Sequence, residues 1–195
     1  MNAIRLNAAR LLPLAVLAAA ACAPVVQVQT DPVNQSIPVT SVGVQAYVEV
    51  AIDLPPESQG DVLVNQALLD VQVQNASRSA KMLVELRASL QGTATPETPY
   101  AFTEANRPAY FANSIAVLAP KSYDAGATVQ EHVDATPLRD AIGKPRLWLI
   151  VANTVTSVGF GEVFPLQINL NQIILHATVT KSLAGAGGAL ETTGM

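Results

Sequence analysis

Few side chains in this chain have the type and spacing to do chemistry. Nucleophilic catalysis needs a Ser, Cys or Thr beside a base. The chain offers two histidines, His132 and His176, one cysteine, Cys22, and no Gly-x-Ser-x-Gly turn. His132 stands in Glu131-His132-Val133-Asp134, where a strand would put His132 and Asp134 on one face, within reach of one metal ion. Zinc sites take three or four protein ligands, so a solvated polar strand face explains the pair more simply. His176 lies opposite the apolar parity of its segment and reads as a surface or edge residue. There is no Asp-x-Asp-x-Asp-Gly calcium loop, phosphate loop or dinucleotide fingerprint, and no carboxylate pair is singled out for hydrolysis. The expectation is a non-enzyme with no catalytic residue, no metal and no cofactor.

Recognition has better candidates. Residues 92–113 form a long irregular stretch with Pro96, Pro99 and Pro108, and hold Tyr100, Phe102, Tyr110 and Phe111, four of the nine aromatics in the chain. Long loops in compact domains are usually functional or disordered, and the aromatics argue against disorder. Two roles are open. The rings could be presented to a ligand or glycan, with Arg107 as the polar contact, because aromatic side chains offer large area at low entropic cost. Alternatively, they fold back and cap the open end of the domain.

The elements that must position these residues are strands. Period-2 alternation over 41–54 places Val42, Val44, Ala46, Val48, Val50, Ile52 and Leu54 on one face. The apolar parity of 62–74 changes between Val64 and Leu69, predicting a bulge near 65–68. Residues 81–91 alternate cleanly, and with 62–74 they predict an antiparallel hairpin across the turn at 75–79. Short strands follow at 114–118 and 128–133. Thr136-Pro137 through Gly143 predicts a short helix with Thr136 as N-cap. The unbroken apolar run 147–152 predicts the central, most buried strand. Residues 166–181 switch parity between Leu170 and Ile173, predicting a second bulge near Asn171. About seven strands, one short helix and no βαβ rhythm predict an all-β fold, an antiparallel immunoglobulin-like β-sandwich over 41–181. A glycine- and alanine-rich disordered tail is expected at 182–195.

The first 22 residues differ in kind. Arg5 and Arg10 are their only charges, Leu11 to Ala21 carries none, and the run ends on the sole cysteine. A basic start, an apolar middle and small residues before a cut are the parts of a secretory signal, here residues 1–21. The apolar run is too short for a spanning helix, which takes about 20 residues. The end, Leu17-Ala18-Ala19-Ala20-Ala21-Cys22, resembles a bacterial lipoprotein signal, with Ala19 in place of the more usual Leu. That resemblance covers roughly the first 24 residues. It implies cleavage before Cys22 and lipidation of its sulfur, so that acyl chains hold the protein at a membrane. Ala23, rather than Asp, after the cysteine resembles the pattern that directs lipoproteins of enteric bacteria to the outer membrane. Residues 22–40, with Pro24, Pro32 and Pro38 among polar residues, are expected to be a tether, within which 25–28 could pair as a short edge strand.

Composition narrows the class. Half of the 195 residues are hydrophobic and 13% are charged, yet beyond the leader the apolar residues are dispersed among Gln, Asn, Ser and Thr. Without the two leader arginines, nine basic residues face fifteen acidic ones, about −6. That scattered and outnumbered positive charge excludes a nucleic-acid partner, since phosphate binding rests on clustered cations. One cysteine permits no internal disulfide. The expected function is a non-catalytic cell-envelope lipoprotein with a structural or protein-docking role, with a membrane and other envelope proteins as its partners. The alternative is a ligand- or glycan-binding module using residues 92–113.

Overall fold

The computed structural model describes residues 25–181. The leader with Cys22 and the tail 182–195 lie outside the described residues. Over the described residues the chain forms an antiparallel β-sandwich of ten strands rather than about seven. They are β1 (Val25–Gln29), β2 (Val33–Val39), β3 (Ala46–Asp53), β4 (Val62–Asn75), β5 (Ala80–Ser89), β6 (Tyr100–Thr103), β7 (Ile115–Tyr123), β8 (Thr128–Asp134), β9 (Arg146–Val158) and β10 (Leu166–Lys181). The first sheet runs β1-β10-β4-β8, with β2 also paired to β10; the second runs β6-β3-β9-β5-β7.

Both expected bulges are present. Against β10, Gln66 pairs with Thr178 and Val64 with Val179, so Asn65 is the extra residue on β4. In β10 the register slips after Leu170, where Gln172 has φ of 51° and donates its N–H to Asn34 Oδ1 at 2.8 Å. Each bulge switches which parity faces inward. Ile168 and Leu170 therefore pack in the same core as Ile173 and Leu175, all at 3% exposure or less. The apolar run 147–152 lies within β9, at the centre of the second sheet. Leu149 and Val151 face the first sheet, while Ile150 and Ala152 join a separate cluster with Tyr47, Phe102 and Phe111.

Three expectations are corrected. Residues 62–74 and 81–91 do not form a hairpin: β4 belongs to the first sheet and β5 to the second. The chain crosses between layers at 75–79, and Asn75 holds that corner. Its buried amide donates to Ala80 O (2.8 Å) and Tyr123 O (3.0 Å), and accepts from Ser77 N and Oγ. Two half-buried strands can each bury one face either side by side or face to face, and alternation alone does not distinguish these.

The tether expected over 22–40 is not what residues 25–39 form. β1 pairs with the C-terminal half of β10, and β2 with its N-terminal half. Pro32 falls between the two strands, and Pro38 sits on β2, which pairs only with β10, where a missing N–H is tolerated. The sandwich thus begins at Val25 rather than at residue 41. Finally, the short helix is a single 3₁₀ turn, Thr136–Leu138, with Ala135 at the cap position. Thr136 does not cap it. Its N–H and hydroxyl instead donate to the Asp134 carboxylate, which holds the Asp134 pKa below its ordinary value.

Candidate functional site

The aromatic stretch 92–113 lies over the outer face of the second sheet. β6 adds to β3 with Phe102 opposite Tyr47 and Tyr100 opposite Glu49. Tyr47 and Phe102 stack with centroids 5.0 Å apart, and Phe111 meets Tyr47 edge-on at 5.1 Å. Phe102 and Phe111 are buried, whereas Tyr100 and Tyr110 are half-buried against them. The exposed Arg107 sets its guanidinium 4.8 Å from the centre of Phe111 and pairs with Glu104 at 2.8 Å. The Tyr47 hydroxyl donates to the same Glu104 (2.7 Å). Burial, then that carboxylate, raises the Tyr47 pKa. The rings therefore neither stand free nor close the open end between the sheets. They roof the exterior of β3 and β9.

One carboxylate fastens this roof. Glu49 is fully buried; its Oε1 accepts from Thr93 N (2.6 Å) and Ala94 N (2.7 Å), and its Oε2 from the Tyr110 hydroxyl (2.7 Å). Burial, assisted by Glu49, pushes the Tyr110 pKa up to about 12. Trp148 Nε1 donates to Ala94 O at 3.0 Å. Gly92 packs so closely on that indole that a Cβ would lie 2.2 Å from Trp148 Cδ1. Glu49 was missed in the sequence because alternation assigns it to the solvent face of its strand. A signal was present in its neighbours on that parity, Tyr47 and Ala51, which are themselves apolar.

The two histidines meet a residue that sequence spacing did not associate with them. Asp70, on β4, contacts His132 Nδ1 through Oδ1 (2.7 Å) and His176 Nε2 through Oδ2 (3.2 Å). β8, β4 and β10 are adjacent in the sheet, so the trio assembles across three strands. Asp134, the suggested companion of His132, is occupied by Thr136. Among the described residues no three His, Cys, Asp or Glu side chains are arranged to hold a metal ion. Asp70 and His176 also line a shallow cleft of about 620 Å³ on the outer face of the first sheet, with Gln27, Gln29, Gln66 and Thr178.

Apart from Leu68, in the middle of β4, the exposed apolar side chains lie toward the ends of the strands. At the end where β9 passes to β10, Phe160 is 107% exposed and Val163 78%, with Val42 and Val44 nearby in the β2–β3 connection. Glu162 holds the 159–165 loop in place, accepting from Ser79 N (2.6 Å), Ser79 Oγ (2.8 Å) and Arg78 N (3.1 Å). Those bonds lower its pKa. At the opposite end, Val25 and Leu63 are exposed on either side of Thr180, whose hydroxyl accepts from Asn65 Nδ2 at 2.9 Å. Among the described residues no helix is long and apolar enough to cross a membrane.

No family model matches the chain, and no curated protein does. Two solved structures show weak likeness. A structure of infectious bursal disease virus, Gx strain, is 14% identical with a TM-score of 0.37, over 86% of this chain and 33% of that one. A crystal structure of an infectious bursal disease virus particle is 10% identical with a TM-score of 0.29, over 77% and 36%. The chain spans about a third of the length of each.

Proposed function

We propose that this protein is a non-catalytic lipoprotein of the bacterial cell envelope, anchored through Cys22, with a structural or protein-docking role toward other envelope proteins. The position of Cys22 carries this. The only cysteine in the chain follows a basic–apolar–small leader, and only Ala23 and Pro24 separate it from β1. Two or three acyl chains, each buried CH₂ contributing ~0.8 kcal/mol, would hold the domain stably at a membrane. Ala23 favours the outer membrane over retention at the inner one. Residues 92–113 supply little to the alternative of a ligand- or glycan-binding loop. Phe102 and Phe111 are spent on the sheet, leaving Tyr100, Arg107 and Tyr110 at the surface.

Metabolic labelling with a palmitate analogue tests the anchor. The expected result is label on the wild-type protein, none on Cys22→Ser, and release of the variant from the membrane fraction. Unlabelled wild-type protein that stays soluble in the periplasm or medium would refute it.

A further inference from the structure

We infer that the cleft on the outer face of the first sheet binds a neutral saccharide; the inference does not depend on the anchoring of Cys22. Two adjacent rows of that face line the cleft. Gln27, Thr178 and Gln66 stand opposite one another across β1, β10 and β4, and Gln29, His176 and Leu68 form the next row. The rows are two residues apart along each strand, roughly 7 Å. At about 620 Å³ the cleft has the size of a small-molecule site, a class usually lined by apolar groups. Here the lining is mainly amide and hydroxyl, so the ligand it fits is a polar one.

Two observations set the chemistry of that ligand. The first is charge. The five strands of this sheet contain no arginine, and their one lysine, Lys181, is the last residue of β10. Their carboxylates are engaged within the protein: Glu131 is buried against Lys121 and Tyr123, Asp134 holds Thr136, and Asp70 lies between the two histidines. No lysine or arginine lines the cleft to hold an anion. The second is hydrogen bonding. Further along the same face the polar side chains bond to one another, Ser36 to Asn169 at 2.8 Å and Asn169 to Gln74 at 2.9 Å. Around the cleft, among the described residues, no such bond joins Gln27, Gln29, Gln66 or Thr178. A glutamine amide both donates and accepts, as a sugar hydroxyl does. Three such amides and a threonine hydroxyl therefore match a polyhydroxylated ring, while Leu68, 38% exposed, offers an aliphatic surface to its C–H face.

The test uses the full chain, purified in a detergent without a sugar headgroup. Oligomers of glucose, mannose and N-acetylglucosamine are titrated into it, with oligomers of galacturonic acid as the charged comparison. The expected result is binding of a neutral oligomer in preference to the acidic one, with shifts in the side-chain amide resonances of Gln27, Gln29 and Gln66 and none in Gln74. Gln27→Ala combined with Gln66→Ala should weaken binding about tenfold, since two hydrogen bonds are lost, whereas Gln74→Ala should leave it unchanged. Either single variant serves should the double variant fold poorly. No binding of any neutral oligomer, or equal or tighter binding of the acidic one, overturns the inference. So does binding that shifts residues 92–113 instead, or a dimer in sedimentation whose two copies bury these amides against each other.

Discussion

Replacing Glu49 with alanine should loosen the roof over the second sheet while leaving the sandwich beneath it folded. The carboxylate accepts three hydrogen bonds, two from backbone N–H groups and one from Tyr110. Thr93 is exposed and its N–H can turn to water, but Ala94 is buried. An N–H left buried without an acceptor costs about 1–3 kcal/mol. Loss of the side-chain methylene packing adds ~0.8 kcal/mol. Relief from burying a charge offsets part of this. The net loss should be about 1–3 kcal/mol, a fall in Tm of about 2–12 °C for a domain of this size.

Urea unfolding followed through Trp148, the only tryptophan, measures the loss beside the site. Glu49→Gln keeps an acceptor for the two N–H groups and an amide for Tyr110, but gives up the charge. Because charge-assisted hydrogen bonds are about twice as strong as neutral ones, this variant should fall between wild type and Glu49→Ala. Absorbance titration adds an independent measure: without the carboxylate the Tyr110 pKa should drop from about 12. Glu49→Ala as stable as wild type, or Glu49→Gln as damaging as Glu49→Ala, would refute the assignment of Glu49 as the fastener.

Three other outcomes follow from the geometry. Gly92→Ala should displace Trp148, since the new Cβ would lie 2.2 Å from the indole; overpacking of this kind costs about 1–3 kcal/mol, and Trp148 emission should shift red. Asn75→Ala should lower stability by about 3 kcal/mol or more, because it orphans buried partners at the layer crossing; denaturant melts would report it. The Glu162 pKa is lowered on folding, so its stabilising contribution is present above the ordinary carboxylate value and is lost as pH falls through the folded value. The Ser79 amide resonance should move with that titration, and Glu162→Gln should abolish the movement.

Local pattern carried a large part of the fold. Bulges were legible at Asn65 and near Asn171 because one strand can keep its apolar side chains on one face across a parity change only by inserting an extra residue. The continuous apolar run 147–152 marked the middle strand because only a strand covered on both faces tolerates it. Proline content misled at 22–40: it argued against a sheet, whereas β1 and β2 pair only with β10, an arrangement that proline permits. Within the candidate site, the ring types of residues 92–113 were evident, but the surface they cover was not. That surface is the outer face of β3 and β9, defined only once those strands pair.

The sequence by itself determined the class of the chain: strands by alternation, a core by composition, and no motif for chemistry. These are local properties, set by side-chain period and backbone preference. Tertiary structure decided what meets what. It placed β4 and β5 in different layers, brought Asp70 between two histidines and buried Glu49 beneath the aromatic roof. Each of these contacts depends on strand order and register, which arise when two sheets close on one core, and alternation along a single strand is compatible with many such closures.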